Sequence, residues 1–193
     1  MQIGGLQKLS LIDYPGVPAA VVFTQGCNMA CPYCHNPQLV YPHLFETSIS
    51  DEEVFSFLKK RQKLFKGVVI TGGEPTLQKD LAEFIVEIKK LNFFVKLDTN
   101  GANPKVLKDL IDKNLLDFIA MDIKSPADKY NLFFKGDLDM IKQSLKIIQS
   151  SGVAHLFRTT YDADILNDID LSVIKKATAA STHIVQECRK QSI

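Results

Sequence analysis

Three cysteines, Cys27, Cys31 and Cys34, crowd into eight residues of the stretch Gly26-Cys27-Asn28-Met29-Ala30-Cys31-Pro32-Tyr33-Cys34-His35-Asn36-Pro37, while Cys188 lies near the other end of the chain. Disulfide frameworks belong to small secreted domains and use paired cysteines, so an odd trio on one turn-rich loop points instead to metal, cofactor or redox chemistry. Three thiolates suit a four-iron cubane better than four would, because one iron then stays open for a substrate or cofactor. An open coordination site implies catalysis. Two plainer readings stand beside it. His35 could complete a closed zinc shell in a non-catalytic binding protein, or the thiols could be inert and buried.

Four more clusters place polar groups where apolar runs end. Thr71-Gly72-Gly73-Glu74-Pro75 offers two glycines that let the backbone approach a ligand, with a carboxylate able to accept from an ammonium. Leu97-Asp98-Thr99-Asn100-Gly101 joins an acid to an Asn-Gly turn, and Ala120-Met121-Asp122-Ile123-Lys124 joins an acid to a lysine. Phe157-Arg158-Thr159-Thr160-Tyr161 sets an arginine in an apolar run, where it must meet an anion or a wet lumen. The bland counterparts are a strand-to-helix turn at Gly72-Gly73, solvated strand ends at Asp98 and Asp122, and a structural ion pair at Arg158.

The elements that must carry these clusters alternate between short β-branched or aromatic runs and longer amphipathic stretches, the pattern of βα units on a mainly parallel sheet. Strands are expected at 19–24, 67–71, 93–98, 118–123, 154–160 and 183–186, mostly as continuous apolar runs covered on both faces. Helices are expected at 51–64, 79–91, 104–113, 139–150 and 168–179, the first opened by Ser50 and Glu53 in a capping-box pattern and the third by Pro104. Eight such units would close a full barrel of about 250 residues. The α/β fold expected here is therefore an incomplete (β/α)6 barrel in one domain over 1–193, with 1–18 an edge strand or hairpin.

The chain has 193 residues, of which 46% are hydrophobic and 23% charged, and its 23 basic against 22 acidic side chains leave a formal charge of +1. A near-neutral balance gives no field of the kind that tracks nucleic acid or anionic lipid, so no nucleic-acid and no membrane partner is expected. No apolar run reaches the length of a membrane span, and the opening residues lack the pattern of a secretory signal. A cytoplasmic protein is expected.

The cysteine loop resembles the signature of radical S-adenosylmethionine (SAM) enzymes. Within that superfamily, Cys-Asn-x-x-Cys-x-Tyr-Cys-His-Asn is similar to the version in activating enzymes of glycyl-radical proteins, especially the subgroup that activates anaerobic ribonucleoside-triphosphate reductase. Ile12-Asp13-Tyr14-Pro15-Gly16 and Phe23-Thr24-Gln25-Gly26 look like the same subgroup. The likeness runs from about Leu11 to Arg158. Beyond it the chain departs, with Thr160, Tyr161 and Asp162 where the subgroup commonly has Val and then Pro.

The resemblance implies that Cys27, Cys31 and Cys34 hold a 4Fe-4S cluster and that SAM binds beside it. Tyr33 would lie by the adenine, Gly72, Gly73 and Glu74 at the methionyl amino group, and Asp98, Thr99 and Asp122 near the methionine and ribose. Asp98 and Asp122 can share a monovalent cation there. Lys124 would pair with the SAM carboxylate and Arg158 would lie close by. No catalytic residue beyond the cluster ligands is implied. The implied reaction is reductive cleavage of SAM and abstraction of a glycine Cα hydrogen on a partner glycyl-radical enzyme, with a flavodoxin- or ferredoxin-type protein as electron donor. Within enzymes, the alternatives are a pyruvate formate-lyase-type activase and a small-molecule catalyst like 7-carboxy-7-deazaguanine synthase.

Overall fold

The computed structural model describes residues 1–188. They build one seven-stranded sheet in chain order: β1 (Ile3–Ser10), β2 (Ala19–Thr24), β3 (Gly67–Gly72), β4 (Phe94–Thr99), β5 (Phe118–Asp122), β6 (Ala154–Tyr161) and β7 (Thr182–Glu187). β1 is antiparallel to β2, and β2 through β7 are parallel. The connecting helices are α1 (Pro37–Val40), α2 (Asp51–Lys59), α3 (Leu81–Lys90), α4 (Pro104–Asp112), α5 (Leu138–Ser150) and α6 (Asp168–Ala177). This is the mainly parallel, incomplete barrel that the sequence predicts, with the region 1–18 supplying the antiparallel edge.

Alternation along the strands separates two apolar layers. Val68 and Ile70 of β3, Val95 and Leu97 of β4, and Ile119 and Met121 of β5 join a large core with Phe84, Ile85 and Ile88 of α3 and Leu107 and Leu110 of α4. The intervening positions face the barrel interior. There Ala19, Val21 and Val69 cluster with Tyr14, and Phe118 packs against them.

Helix starts follow from caps legible in the chain. Ser50 accepts from the Glu53 N–H at 3.1 Å at the head of α2, and Asn103 caps α4 just before Pro104. α2 stops at Lys59, short of the expected 64. After Leu58 the positions that would continue its buried stripe are Arg61 and Gln62, and the chain turns so that Phe65 can enter the core. β7 also differs from expectation. Its residues are mostly exposed, because it is the outermost strand of an open sheet and lacks cover on both faces. Among the described residues no helix is long and apolar enough to cross a membrane.

Tyr14, from the loop between β1 and β2, closes the lower end of the barrel. Its side chain is 5% exposed, its ring lies 5.8 Å from that of Phe118, and Gly67 leaves it room, since a Cβ there would stand 3.0 Å from the Tyr14 ring. Neighbouring Ile12 projects outward and is 88% exposed. Tyr14→Ala should therefore lower unfolding free energy in a urea titration by about 3 kcal/mol. Ile12→Ser, two residues away, should stay within about 0.5 kcal/mol of the parent.

Candidate active site

The upper ends of β2 to β6 surround a cleft of about 530 Å³, counting its open mouth. Its wall on one side is the loop after β2, which carries the three cysteines. That loop is docked at several points: the Ala30 N–H donates to the Phe133 carbonyl at 3.0 Å, Gly26 N–H to the Leu39 carbonyl at 2.7 Å, and Cys34 N–H to the Cys31 carbonyl at 3.0 Å. Met29 is buried beneath it. Burial pushes the Cys27 thiol up to about 11, against the pull of the Met29 N–H on its sulfur, and pushes Cys31 up as well.

Glu74 ties this loop to the ends of β3 and β4. Its side chain is fully buried, and each of its oxygens accepts from donors of the chain itself. Thr99 Oγ1 donates to Oε1 at 2.7 Å, the Asn100 N–H donates to Oε2 at 2.6 Å, and Thr76 gives both its N–H and its hydroxyl. Burial pushes the carboxyl up, and these donors pull it back only in part. Gly73 and Glu74 in turn donate their N–H groups to the carbonyls of Thr24 and Gly26. The approach is so close that a Cβ on Gly73 would stand 2.1 Å from the Gly26 oxygen. Gly72 has φ +111° and is equally closed to a side chain.

The floor of the cleft is a chain of ion pairs. Arg158 on β6 donates from Nε to Asp122 at 2.8 Å and from Nη1 to Asp98 at 3.1 Å. Lys124 reaches the other oxygen of Asp122 at 2.9 Å, and Lys96 holds the other oxygen of Asp98. Burial alone would raise Asp122, but Arg158 and Lys124 carry its carboxyl well below the usual range. Asp122 and Asp98 correspondingly hold Arg158 charged.

Of the residues singled out in the sequence, Cys27, Cys31, Cys34, Gly72, Gly73, Glu74, Asp98, Thr99, Asp122, Lys124 and Arg158 all line this cleft. Tyr33 does not. Its ring packs on Phe133 with centroids 5.7 Å apart, and its hydroxyl is buried without a hydrogen-bond partner. His35 is also absent from the lining, and among the described residues no three His, Cys, Asp or Glu side chains converge as ligands of a single ion. Sequence reasoning missed Asn100, which lines the cleft, donates to Asn28 at 2.8 Å and stands 3.9 Å from the Cys27 sulfur. In the sequence it reads only as part of the Asn-Gly turn. Lys96 was missed too, although its spacing of two from Asp98 on a strand places both on one face.

The chain matches the family model of the radical SAM superfamily over residues 21–171. It is 41% identical over 182 residues to MJ1227 of Methanocaldococcus jannaschii, a protein named for glycyl-radical enzyme activation, with 90% of this chain and 74% of that one covered. It is 30% identical over 135 residues to the pyruvate formate-lyase-activating enzyme of Clostridium pasteurianum, covering 66% of this chain and 54%, about half, of the relative. In three dimensions it superposes on Streptococcus suis SuiB bound to S-adenosylmethionine with a TM-score of 0.71, over 89% of this chain and 41% of SuiB, at 14% identity. That last likeness speaks for the fold alone. Family model and sequence relatives together place the chain in the radical SAM superfamily, among enzymes whose membership implies a 4Fe-4S cluster and SAM, with homologues named as glycyl-radical enzyme activating enzymes.

Proposed function

We propose that Cys27, Cys31 and Cys34 hold the 4Fe-4S cluster, that the cleft beside them holds SAM, and that the enzyme installs a glycyl radical on a partner, an anaerobic ribonucleoside-triphosphate reductase. The observation that carries this is the convergence of one three-thiol loop with polar groups from four successive strand ends on a single cleft. The donor set fits the groups. Sulfur donors spread along a cleft wall suit a multi-iron core better than a single zinc ion, and the charged floor offers partners to an amino acid zwitterion.

Bound together, cluster and SAM supply one-electron cleavage of a sulfonium and, with it, a hydrogen-abstracting radical. The protein's own share is placement. We assign the SAM ammonium to Gly72, Gly73 and Glu74: the glycines let the main chain come near, and Glu74 Oε2, which lines the cleft, accepts only the Asn100 N–H and keeps a lone pair for a ligand. Lys124 and Arg158 sit where a carboxylate and ribose hydroxyls can be met, and Thr99 is fixed by Glu74. Tyr33, packed on Phe133 outside the cleft lining, is given no contact with the adenine moiety. No side chain need act as a general base for hydrogen abstraction. The unclosed sheet leaves a lateral gap between β1 and β7 through which a glycine-bearing loop of the partner can approach. The partner choice is supported by Ile12-Asp13-Tyr14-Pro15-Gly16 and Phe23-Thr24-Gln25-Gly26, which resemble the reductase-activating subgroup.

Anaerobic reconstitution tests the ligand set. The protein should turn brown with about four irons per chain and yield 5′-deoxyadenosine from SAM and dithionite. Cys27→Ala, Cys31→Ala and Cys34→Ala should each abolish that product, whereas Cys188→Ala should retain it. A colourless protein with one zinc and no response to SAM would reject the assignment. For the partner, electron spin resonance after mixing with an anaerobic ribonucleotide reductase should show the doublet of a backbone glycyl radical. The same doublet appearing with pyruvate formate-lyase instead would move the assignment to that partner.

A further inference from the structure

Lys96 breaks the rule that governs the interior layer around it. It faces inward on β4, in register with Val69 of β3 and Phe118 of β5, one layer above the Tyr14 floor. Its side chain is 3% exposed. Moving an ammonium into such a place costs several kcal/mol, and replacing a buried ion pair by apolar groups of similar volume is often neutral or stabilising. Folding alone therefore gives no reason for Lys96.

The reason lies in the layer above. Asp98 and Asp122 come from neighbouring strands and both face the cleft, and two carboxylates sharing a poorly hydrated space need counter-charge. Arg158 bridges the two, Lys124 holds the free oxygen of Asp122, and Lys96 holds the free oxygen of Asp98 from below. Thr71 adds a neutral donor at 3.3 Å to the Asp98 oxygen that Arg158 engages. Three cations against two carboxylates leave this group at +1, a charge already suited to a ligand carboxylate. Glu74, nearby, is engaged by neutral donors and stands outside the chain of ion pairs. An inorganic cation added beside Asp98 would raise the group to +2, against the repulsion of Lys96 and Arg158.

We propose that Lys96 is a built-in counter-ion, a positioning residue whose ammonium takes the place that a monovalent cation would otherwise fill beside Asp98. SAM binding by this enzyme is then indifferent to sodium and potassium. The inference rests on the assignment of the cleft to SAM, and the two can fail separately.

The test is equilibrium dialysis of SAM against the reconstituted holoenzyme in sodium, potassium or choline chloride at equal ionic strength, with the sodium NMR line width followed in parallel. The parent enzyme should give dissociation constants within about twofold of one another and leave the sodium line unbroadened. Lys96→Ala opens space beside Asp98. It should bind SAM at least about tenfold more weakly in choline and recover most of that loss in sodium or potassium, with a broadened sodium line. Lys96→Met keeps the stem volume, leaves no room for an ion, and should be weakened by a similar factor in every salt. A merely structural lysine would not separate the two variants in this way.

The proposal is overturned if the parent weakens tenfold in choline, or if Lys96→Met binds SAM as the parent does. It is also overturned if a Lys96→Ala protein with a cooperative thermal melt shows no response to cations. Loss of SAM binding by the parent in all three salts would instead overturn the assignment of the cleft, and the role of Lys96 with it. Should Lys96→Ala fail to fold, the parent and Lys96→Met still decide the matter.

Discussion

The buried carboxylate of Glu74 is the interaction on which the geometry of the site depends. A carboxylate removed from water needs hydrogen-bond donors, and here Thr76 and Thr99 supply three to Oε1 and Asn100 supplies one to Oε2. Two of those donors are the last residue of β4, Thr99, and the first after it, Asn100, so the carboxylate fastens the end of β3 to the end of β4. The main chain beside it donates back to Thr24 and Gly26, which fixes the start of the cysteine loop. Asn100 completes the circuit through Asn28. Three loops from three βα units are thus held as one body, and the thiols inherit their positions from it.

Much of this was legible in the sequence because the barrel repeats a simple rule. Apolar runs such as 67–71 and 118–123 end in polar clusters, and in a parallel barrel those ends all arrive at the same mouth. That rule is enough to bring Cys27, Gly73, Asp98, Asp122 and Arg158 together without knowledge of any distance. It is silent about which group pairs with which. Glu74 reads as an acceptor for a ligand ammonium, and the sequence does not show that its oxygens also accept from neighbours 25 and 26 positions further along the chain. Arg158 likewise invites two readings, a ligand contact or an ion pair, and the structure shows it bonded to both interior carboxylates while still lining the cleft.

The remaining differences have local causes. α2 ends early because its apolar stripe ends, a feature visible in Arg61 and Gln62 but outweighed by the helix-favouring residues around them. β7 was expected to be covered, but Ile184 and Val185 are 39% and 43% exposed, since an edge strand has a neighbour on one side only. Tyr33 could not be placed from its loop alone. Its ring direction depends on Phe133, a residue about 100 positions away that is delivered by the segment after β5.

The Tyr14 floor has a consequence for how the enzyme spends its reducing power. An aromatic ring and an apolar layer fill the lower end of the barrel, and among the described residues the mouth and the unpaired side between β1 and β7 are its open sides. Those are also the routes open to a partner's peptide. On the proposed function, quenching of a reactive species and productive encounter would compete for the same entrance, and a docked partner would act as the stopper. Economy of SAM would then be a property of the complex rather than of the barrel by itself.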